Sequence, residues 1–162
     1  MSMNPYAPPK SFLADVEPPP GPRPPLWNPW AATLWSLVFS PAFGAYLHMK
    51  NWRALGQDQK ARVQKSWFIG FVAFLTMLSI AAVFLPDSAA LEAVSKWISL
   101  PLLLAWYYLG GKEQRAYTEA RYGKDYPRRG WLKPLGAVLL AFVALLVVVG
   151  LAAFALGARG GV

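Results

Sequence analysis

The amino-acid sequence predicts an all-helical integral membrane protein, and three observations support this prediction. Hydrophobic residues fill 56% of the 162 positions and the mean hydropathy is +0.31, whereas soluble domains usually hold about 45–50% apolar residues. Long apolar runs recur along the chain, at lengths suited to crossing a bilayer. The basic residues, which give a net charge of +8, flank these runs, so a membrane surface is favoured over nucleic acid as their partner.

Four apolar segments are candidates for spanning helices, since a span needs about 20 residues at about 1.5 Å of rise each. The segments at residues 67–85 and 135–157 carry no charge over 19 and 23 positions. The segment at 89–110 reaches spanning length only with its first residues included, and the one at 30–48 contains proline and glycine near its middle. The sequence therefore predicts a bundle of four transmembrane helices in a membrane domain at residues 26–157.

Tails are predicted at both ends of this domain. Residues 1–25 are rich in proline, which favours extended polyproline II and predicts a disordered tail. Such a tail is a spacer or, alternatively, a docking peptide for an aromatic groove. Residues 158–162 are predicted to form a short disordered C-terminus.

The proline and glycine of the first segment leave two topologies open. Pro41 removes a backbone donor and disturbs the preceding turn, which membrane helices tolerate where neighbours satisfy the freed carbonyl. Small residues recur at every fourth position, a spacing that would give one helix face suited to close packing; they are Ala32, Ser36, Ser40 and Gly44. Because a hairpin would scatter this stripe, we expect a span kinked at Pro41. The alternative is three spans and one re-entrant hairpin.

The connecting loops carry opposite charge signatures. Residues 49–66 hold five basic residues against one acidic residue, and residues 110–134 hold seven basic residues. The short loop at 86–93 contains Asp87 and Glu92 and no basic residue. Short basic loops stay in the cytoplasm, so we expect the first two loops on the cytoplasmic side and the third outside.

The second cytoplasmic loop interleaves basic and aromatic residues. Tyrosine and tryptophan prefer the level of the lipid headgroups, where each basic residue attracts anionic lipid by about 1 kcal/mol. We expect headgroup contact from Arg121, Tyr126, Arg128, Arg129, Trp131 and Lys133. Nucleic-acid binding is the alternative for such a pattern, but ordinary anchoring to the membrane is favoured, and we expect no nucleic-acid partner.

One candidate ion pair lies at the outer end of the third segment. Glu92 and Lys96 are four residues apart, in the order that favours a pair on a helix. Charges inside a membrane usually serve a function such as transport. We nevertheless expect an interfacial pair, because both residues follow closely on Asp87 and Ser88, which are suited to capping the helix.

The sequence shows no residue pattern for catalysis. It has no cysteine and a single histidine, His48, which excludes disulfides, thiolate nucleophiles and metal sites built from several imidazoles. No glycine-rich phosphate loop precedes a helix, and no serine sits in a nucleophile elbow. We therefore expect no catalytic, cofactor-binding or metal-binding residues, no cofactor, and no enzymatic activity.

Two stretches resemble a group of small bacterial inner-membrane proteins. They are NPYAPP at Asn4–Pro9 and WNPWAATLWSLVFSPAFGAYLHMKNWRALG at Trp27–Gly56. The resemblance implies a multi-pass protein of the bacterial inner membrane and implies no particular chemistry.

The expected function is that of a small interaction or accessory protein of the inner membrane. It would pack against a membrane protein partner or a copy of itself, with the anionic headgroups of the cytoplasmic side as a further partner. This expectation depends on the stripe of small residues, the proline-rich tail and the lack of catalytic patterns. A transporter or channel subunit is one alternative, based on the interrupted first segment and the charged pair. A membrane immunity or stress protein is another, based on size and class.

Overall fold

The computed structural model describes residues 23–85 and 87–159, and its regular elements there are helices apart from one isolated β-bridge. In chain order these are α1 (Pro29–Val38), α2 (Pro41–Ala54), α3 (Asp58–Phe84), α4 (Ala89–Trp97), α5 (Ser99–Trp106), a π-helical turn (Tyr107–Gly111), α6 (Lys112–Tyr122) and α7 (Leu132–Arg159). The prediction of an all-helical protein is thereby confirmed for the described residues.

Three helical stretches are long and apolar enough to cross a membrane. They are Asp58–Phe84, Ala89–Tyr122 and Leu132–Ala155, and they are consistent with a multi-pass membrane protein. The middle stretch combines α4, α5, the π-helical turn and α6. A bundle of four spanning helices is not confirmed, because the first apolar segment is built differently.

The first apolar segment is a hairpin of two helices. Trp27 and Asn51 are 24 residues apart in the sequence, yet the Trp27 N–H donates to Asn51 Oδ1 at 3.0 Å, and Asn51 Nδ2 donates to the Trp27 carbonyl at 2.8 Å. A continuous helix would hold these residues about 36 Å apart. The expectation of a single span kinked at Pro41 is therefore wrong, and α1 and α2 run antiparallel.

Proline starts each helix of the hairpin. Pro29 opens α1 after Asn28, whose side chain accepts hydrogen bonds from two backbone N–H groups of the first turn. Pro41 opens α2 after Ser40, whose backbone is extended with φ −179° and ψ 159°. A residue before proline is pushed out of the helical region, and proline suits the first helical position because its missing donor is not needed there. Pro41 thus begins a new helix instead of kinking an old one.

The hairpin is the centre around which the spanning helices pack. One side of it joins α3 and α5 in a cluster of buried residues that includes Ala45, Phe71 and Trp106. The other side, with Phe43 and Leu47 buried, contacts the beginning of α7. The spanning helices bury little else: in their most apolar windows, 6% of the residues of α3, 12% of Ala89–Tyr122 and none of α7 are buried.

Several predicted features lie outside the described residues. The proline-rich tail falls there except for residues 23–25, which form no helix or strand, and so does the resemblance at Asn4–Pro9. Of the predicted C-terminal tail, residues 158–159 belong to α7 and the remainder is outside the described part of the chain.

Candidate functional site

Buried polar side chains gather where the hairpin meets α3, α5 and α6. Within residues 23–85 and 87–159, the buried polar side chains are Ser36, His48, Asn51, Gln64, Gln114 and Thr118, all exposed by 2% or less. Burial of a polar group is costly unless it finds a hydrogen-bond partner. The hydrogen-bond partners of these side chains therefore show whether the cluster stabilises the fold or could react with a ligand.

Asn51 and Gln114 tie the base of the hairpin to α6. The Asn51 amide bonds both backbone groups of Trp27 and also donates to Gln114 Oε1 at 3.1 Å. Gln114 Nε2 in turn donates to the backbone carbonyl of His48 at 2.8 Å. Thr118, one turn further along α6, donates its hydroxyl to the Gln114 carbonyl at 2.8 Å. These bonds link the hairpin to α6 and satisfy the polar side chains that form them.

His48 is fully buried in the hairpin, outside the three spanning stretches. Its Nε2 lies 3.3 Å from the Pro29 carbonyl oxygen, and its ring packs edge-on against Trp106 at 5.2 Å between centroids. Its Nδ1 is buried with no hydrogen-bond partner among the described residues. Burial lowers the pKa of His48 to about 4, because the charged form loses its hydration. The imidazole is therefore neutral at physiological pH.

Gln64 and the π-helical turn form the second part of the cluster. Trp106 Nε1 donates to Gln64 Oε1 at 2.9 Å, and both side chains are buried. A Cβ added at Gly110 would lie 2.6 Å from Gln64 Nε2, so a larger residue there would displace the Gln64 amide from its present position. The π-helical turn Tyr107–Gly111 brings this glycine and Gly111 to the interior. Such turns are rare inside helices and are frequent at functional sites.

The stripe of small residues is divided between the two helices of the hairpin. Ala32 and Ser36 lie on α1, Ser40 lies in the break, and Gly44 lies on α2. A Cβ at Gly44 would overlap Ser36 Oγ and approach the Trp106 ring to 2.7 Å. Ser36 and Gly44 therefore meet across the hairpin, and the four residues do not form one face of one helix.

Glu92 and Lys96 do not form an ion pair. Both are exposed on α4, and Lys96 Nζ lies 5.8 Å from the centroid of the Trp97 ring. The ion pairs in the described chain are Arg23–Asp125, Lys60–Glu113 and Arg115–Glu119. In the same part of the chain no three His, Asp or Glu side chains come together as a metal site would require.

The predicted headgroup-facing residues are partly brought together. The Arg129 guanidinium carbon lies 4.7 Å from the Trp27 ring centroid, and Trp131 lies 6.4 Å from Trp35 between ring centroids. Arg128 lies 5.8 Å from the Tyr126 ring. Lys133 follows Trp131 by two residues and is exposed in the first turn of α7, whereas Arg121 lies elsewhere, on α6 over the ring of Tyr117.

Sequence reasoning missed most of the buried cluster. Asn51, Gln64 and Gln114 stand among charged residues in basic loops, where a polar side chain is expected to face water. The signal that could have found them is the glycine pair Gly110–Gly111 beside three aromatic residues, which indicates a close helix contact. Comparisons with protein-family models, curated proteins and solved structures find no match to this chain. A function must therefore be inferred from these residues alone.

Proposed function

We propose that this chain is a multi-pass protein of the bacterial inner membrane that acts by packing against a membrane protein partner or a second copy of itself, and that it is not an enzyme. One observation carries the proposal: none of the residues in the most apolar window of α7 is buried. Large side chains are exposed on every side of this helix, among them Leu140, Phe142, Leu151 and Phe154.

Exposed apolar surface has a particular meaning in a bilayer. Lipid tails cover it as well as protein does, so helices associate through close packing rather than through the hydrophobic effect. A partner helix can therefore replace lipid on α7 with no cost of exposing polar groups. Small residues along the same helix, such as Ala141 and Ala144, allow close approach. This supports an interaction role for α7.

A re-entrant hairpin that enters from the cytoplasmic side fits the same proposal. The break is closed by backbone bonds, from Phe39 N–H to the Trp35 carbonyl and from Phe43 N–H to the Ser40 carbonyl, as non-helical backbone at membrane depth requires. The base of the hairpin lies beside the basic loop at 110–134, because Arg23 bonds Asp125 of that loop. The positive charge of this loop favours the cytoplasmic side.

The surroundings of Pro41 argue against a transport path. The cavity beside it measures about 30 Å³ and is lined by Phe71, Phe74, Leu75 and Leu102. An apolar space of that size stays dry, whereas the broken helices of transporters line polar sites for substrate or ions. An accessory role is therefore better supported than a transporter or channel. An immunity or stress protein would be one form of this role, defined by its partner.

Photo-crosslinking in native membranes tests the proposal. A photoreactive residue at Leu140 or Leu151 of α7 should yield a protein adduct, because both side chains point away from the bundle. The same residue at Leu47, which is fully buried, is the matched control and should yield none. An adduct of twice 17.9 kDa would identify a second copy, and another mass would identify a partner. Lipid adducts alone, together with ion flux in liposomes holding the pure chain, would refute the proposal.

A further inference from the structure

The base of the hairpin carries a set of basic and aromatic residues that the backbone holds in place. We call it the arginine cluster, and it consists of Trp27, Arg128, Arg129, Trp131 and Lys133. Leu26 pairs with the chain beside it through two backbone bonds, from its N–H to the Pro127 carbonyl at 3.0 Å and from the Arg129 N–H to its carbonyl at 2.9 Å. Trp27 Nε1 donates to the Gly130 carbonyl at 3.0 Å. The cluster is therefore ordered before any ligand arrives.

Within residues 23–85 and 87–159, no acidic side chain pairs with the positive charges of the cluster. The nearest acid in sequence, Asp125, is paired with Arg23 at 3.3 Å, and Glu119 is paired with Arg115 at 2.8 Å. Among the described residues Arg128, Arg129 and Lys133 form no ion pair. The two arginines rest on aromatic rings instead. A ring contact leaves the charge of a guanidinium in place, and its five N–H donors can still bind an anion.

The cluster lies at the edge of an apolar helix. It lies directly before the apolar run of α7 that starts at Leu135, and Leu132 between them is 87% exposed. Trp131 packs against Trp35, and tryptophan is enriched at membrane–water interfaces. No acidic residue occurs in the first turn of α7, so the positive end of the helix dipole adds to the attraction for an anion.

We propose that the arginine cluster binds the phosphate of an anionic phospholipid in the cytoplasmic leaflet. Arg128 and Arg129 contact the phosphate, Lys133 contributes charge, and Leu132 contacts an acyl chain. Soluble phosphate would gain nothing from Leu132, and a nucleic acid would gain nothing from a site at the edge of an apolar helix. This binding is independent of the proposed protein partner, because it uses the beginning of α7 and not its exposed length.

Native mass spectrometry of the full chain in neutral detergent tests the lipid site. Phosphatidylglycerol and phosphatidylcholine with the same acyl chains are titrated against the parent chain, which should retain phosphatidylglycerol preferentially. The double variant Arg128→Gln, Arg129→Gln should bind phosphatidylglycerol about 10- to 30-fold more weakly, at about 1 kcal/mol for each basic residue removed. The matched control is Arg62→Gln, Lys65→Gln. It removes the same charge from exposed positions of α3 and should keep the parent affinity.

A second variant is needed in case the protein unfolds when Arg129 no longer contacts the Trp27 ring. Arg128→Gln with Lys133→Gln leaves that ring contact intact and, with two basic residues removed, should also weaken the binding of phosphatidylglycerol by about 10- to 30-fold. If the cluster variants and the control variant lose the same affinity for phosphatidylglycerol, there is no defined site, and the lipid is held only by the overall positive charge of the protein. Displacement of the lipid by inorganic phosphate, or tighter binding of a short oligonucleotide, would refute the lipid as ligand.

Discussion

Replacing Asn51 by alanine is predicted to release the hairpin from the bundle. The amide of Asn51 makes three hydrogen bonds, two with the backbone of Trp27 and one with Gln114 Oε1. Among the described side chains, Asn51 is the one that joins the residues before α1, the end of α2, and α6. Alanine at this position removes all three bonds and leaves the partner groups without a replacement inside the protein.

The expected loss follows from the burial of these partners. The two bonds to Trp27 are half-buried and contribute about 1 kcal/mol each. Gln114 is fully buried, and leaving its oxygen unsatisfied costs about 1–2 kcal/mol. Asn51→Ala should therefore lower the free energy of unfolding by about 3–4 kcal/mol. Asn51→Asp should be at least as damaging, because a carboxylate would face the Trp27 carbonyl and the Gln114 oxygen.

Unfolding in mixed micelles, followed by tryptophan fluorescence, measures this loss. The matched control is Gln57→Ala, which removes an amide that contacts the Tyr117 hydroxyl at only 3.5 Å and should cost less than about 0.5 kcal/mol. If the Asn51 and Gln57 variants unfold at the same denaturant concentration, the hydrogen bonds of Asn51 do not hold the hairpin and the reasoning fails.

The remaining predictions concern topology, packing and pH. An impermeant thiol reagent on intact cells should label Ala90→Cys and should not label Pro25→Cys. Labelling of both would instead support a first segment that spans the membrane. Gly44→Leu should destabilise the chain in a thermal melt by more than about 2 kcal/mol, because Ser36 and Trp106 leave no room. Val38→Leu, at a position 67% exposed, should be nearly neutral, and similar melts would contradict the hairpin contact. The pKa of His48 is about 4 in the folded chain and 6.5 in the unfolded chain, so between these pH values only the unfolded chain takes up a proton. The free energy of unfolding is therefore highest above pH 6.5. Up to about 3 kcal/mol of it should be lost as the pH falls towards 4, and His48→Gln should lack this loss.

The apolar segments were predictable because spanning helices are read from length and hydropathy. The segments predicted at 67–85 and 135–157 lie almost entirely within the observed helices Asp58–Phe84 and Leu132–Arg159. The observed helices are longer because the polar residues beside an apolar run continue the same helix into water. Hydropathy marks the part of a helix that lipid surrounds, and says little about where the helix begins or ends.

The buried polar cluster could not be predicted from local sequence. Asn51 and Gln114 are 63 residues apart, and Gln64 and Trp106 are 42 apart. Each of these side chains would be satisfied in water as well, so nothing near it in the chain demands a protein partner. Their pairing becomes visible only when the hairpin has brought α2 against α3 and α6.

The hairpin itself was within reach of sequence reasoning. Asn28–Pro29 and Ser40–Pro41 are two copies of the same signal, a capping residue followed by proline, and each marks a helix start. The prediction of one span relied instead on the spacing of small residues, because four positions at a regular interval suggest one continuous face. The same spacing also serves a hairpin, since Ser36 and Gly44 lie on either side of the break and meet when the chain folds back. A regular interval thus fits both arrangements, whereas two starts within twelve residues fit only the arrangement that has two helices.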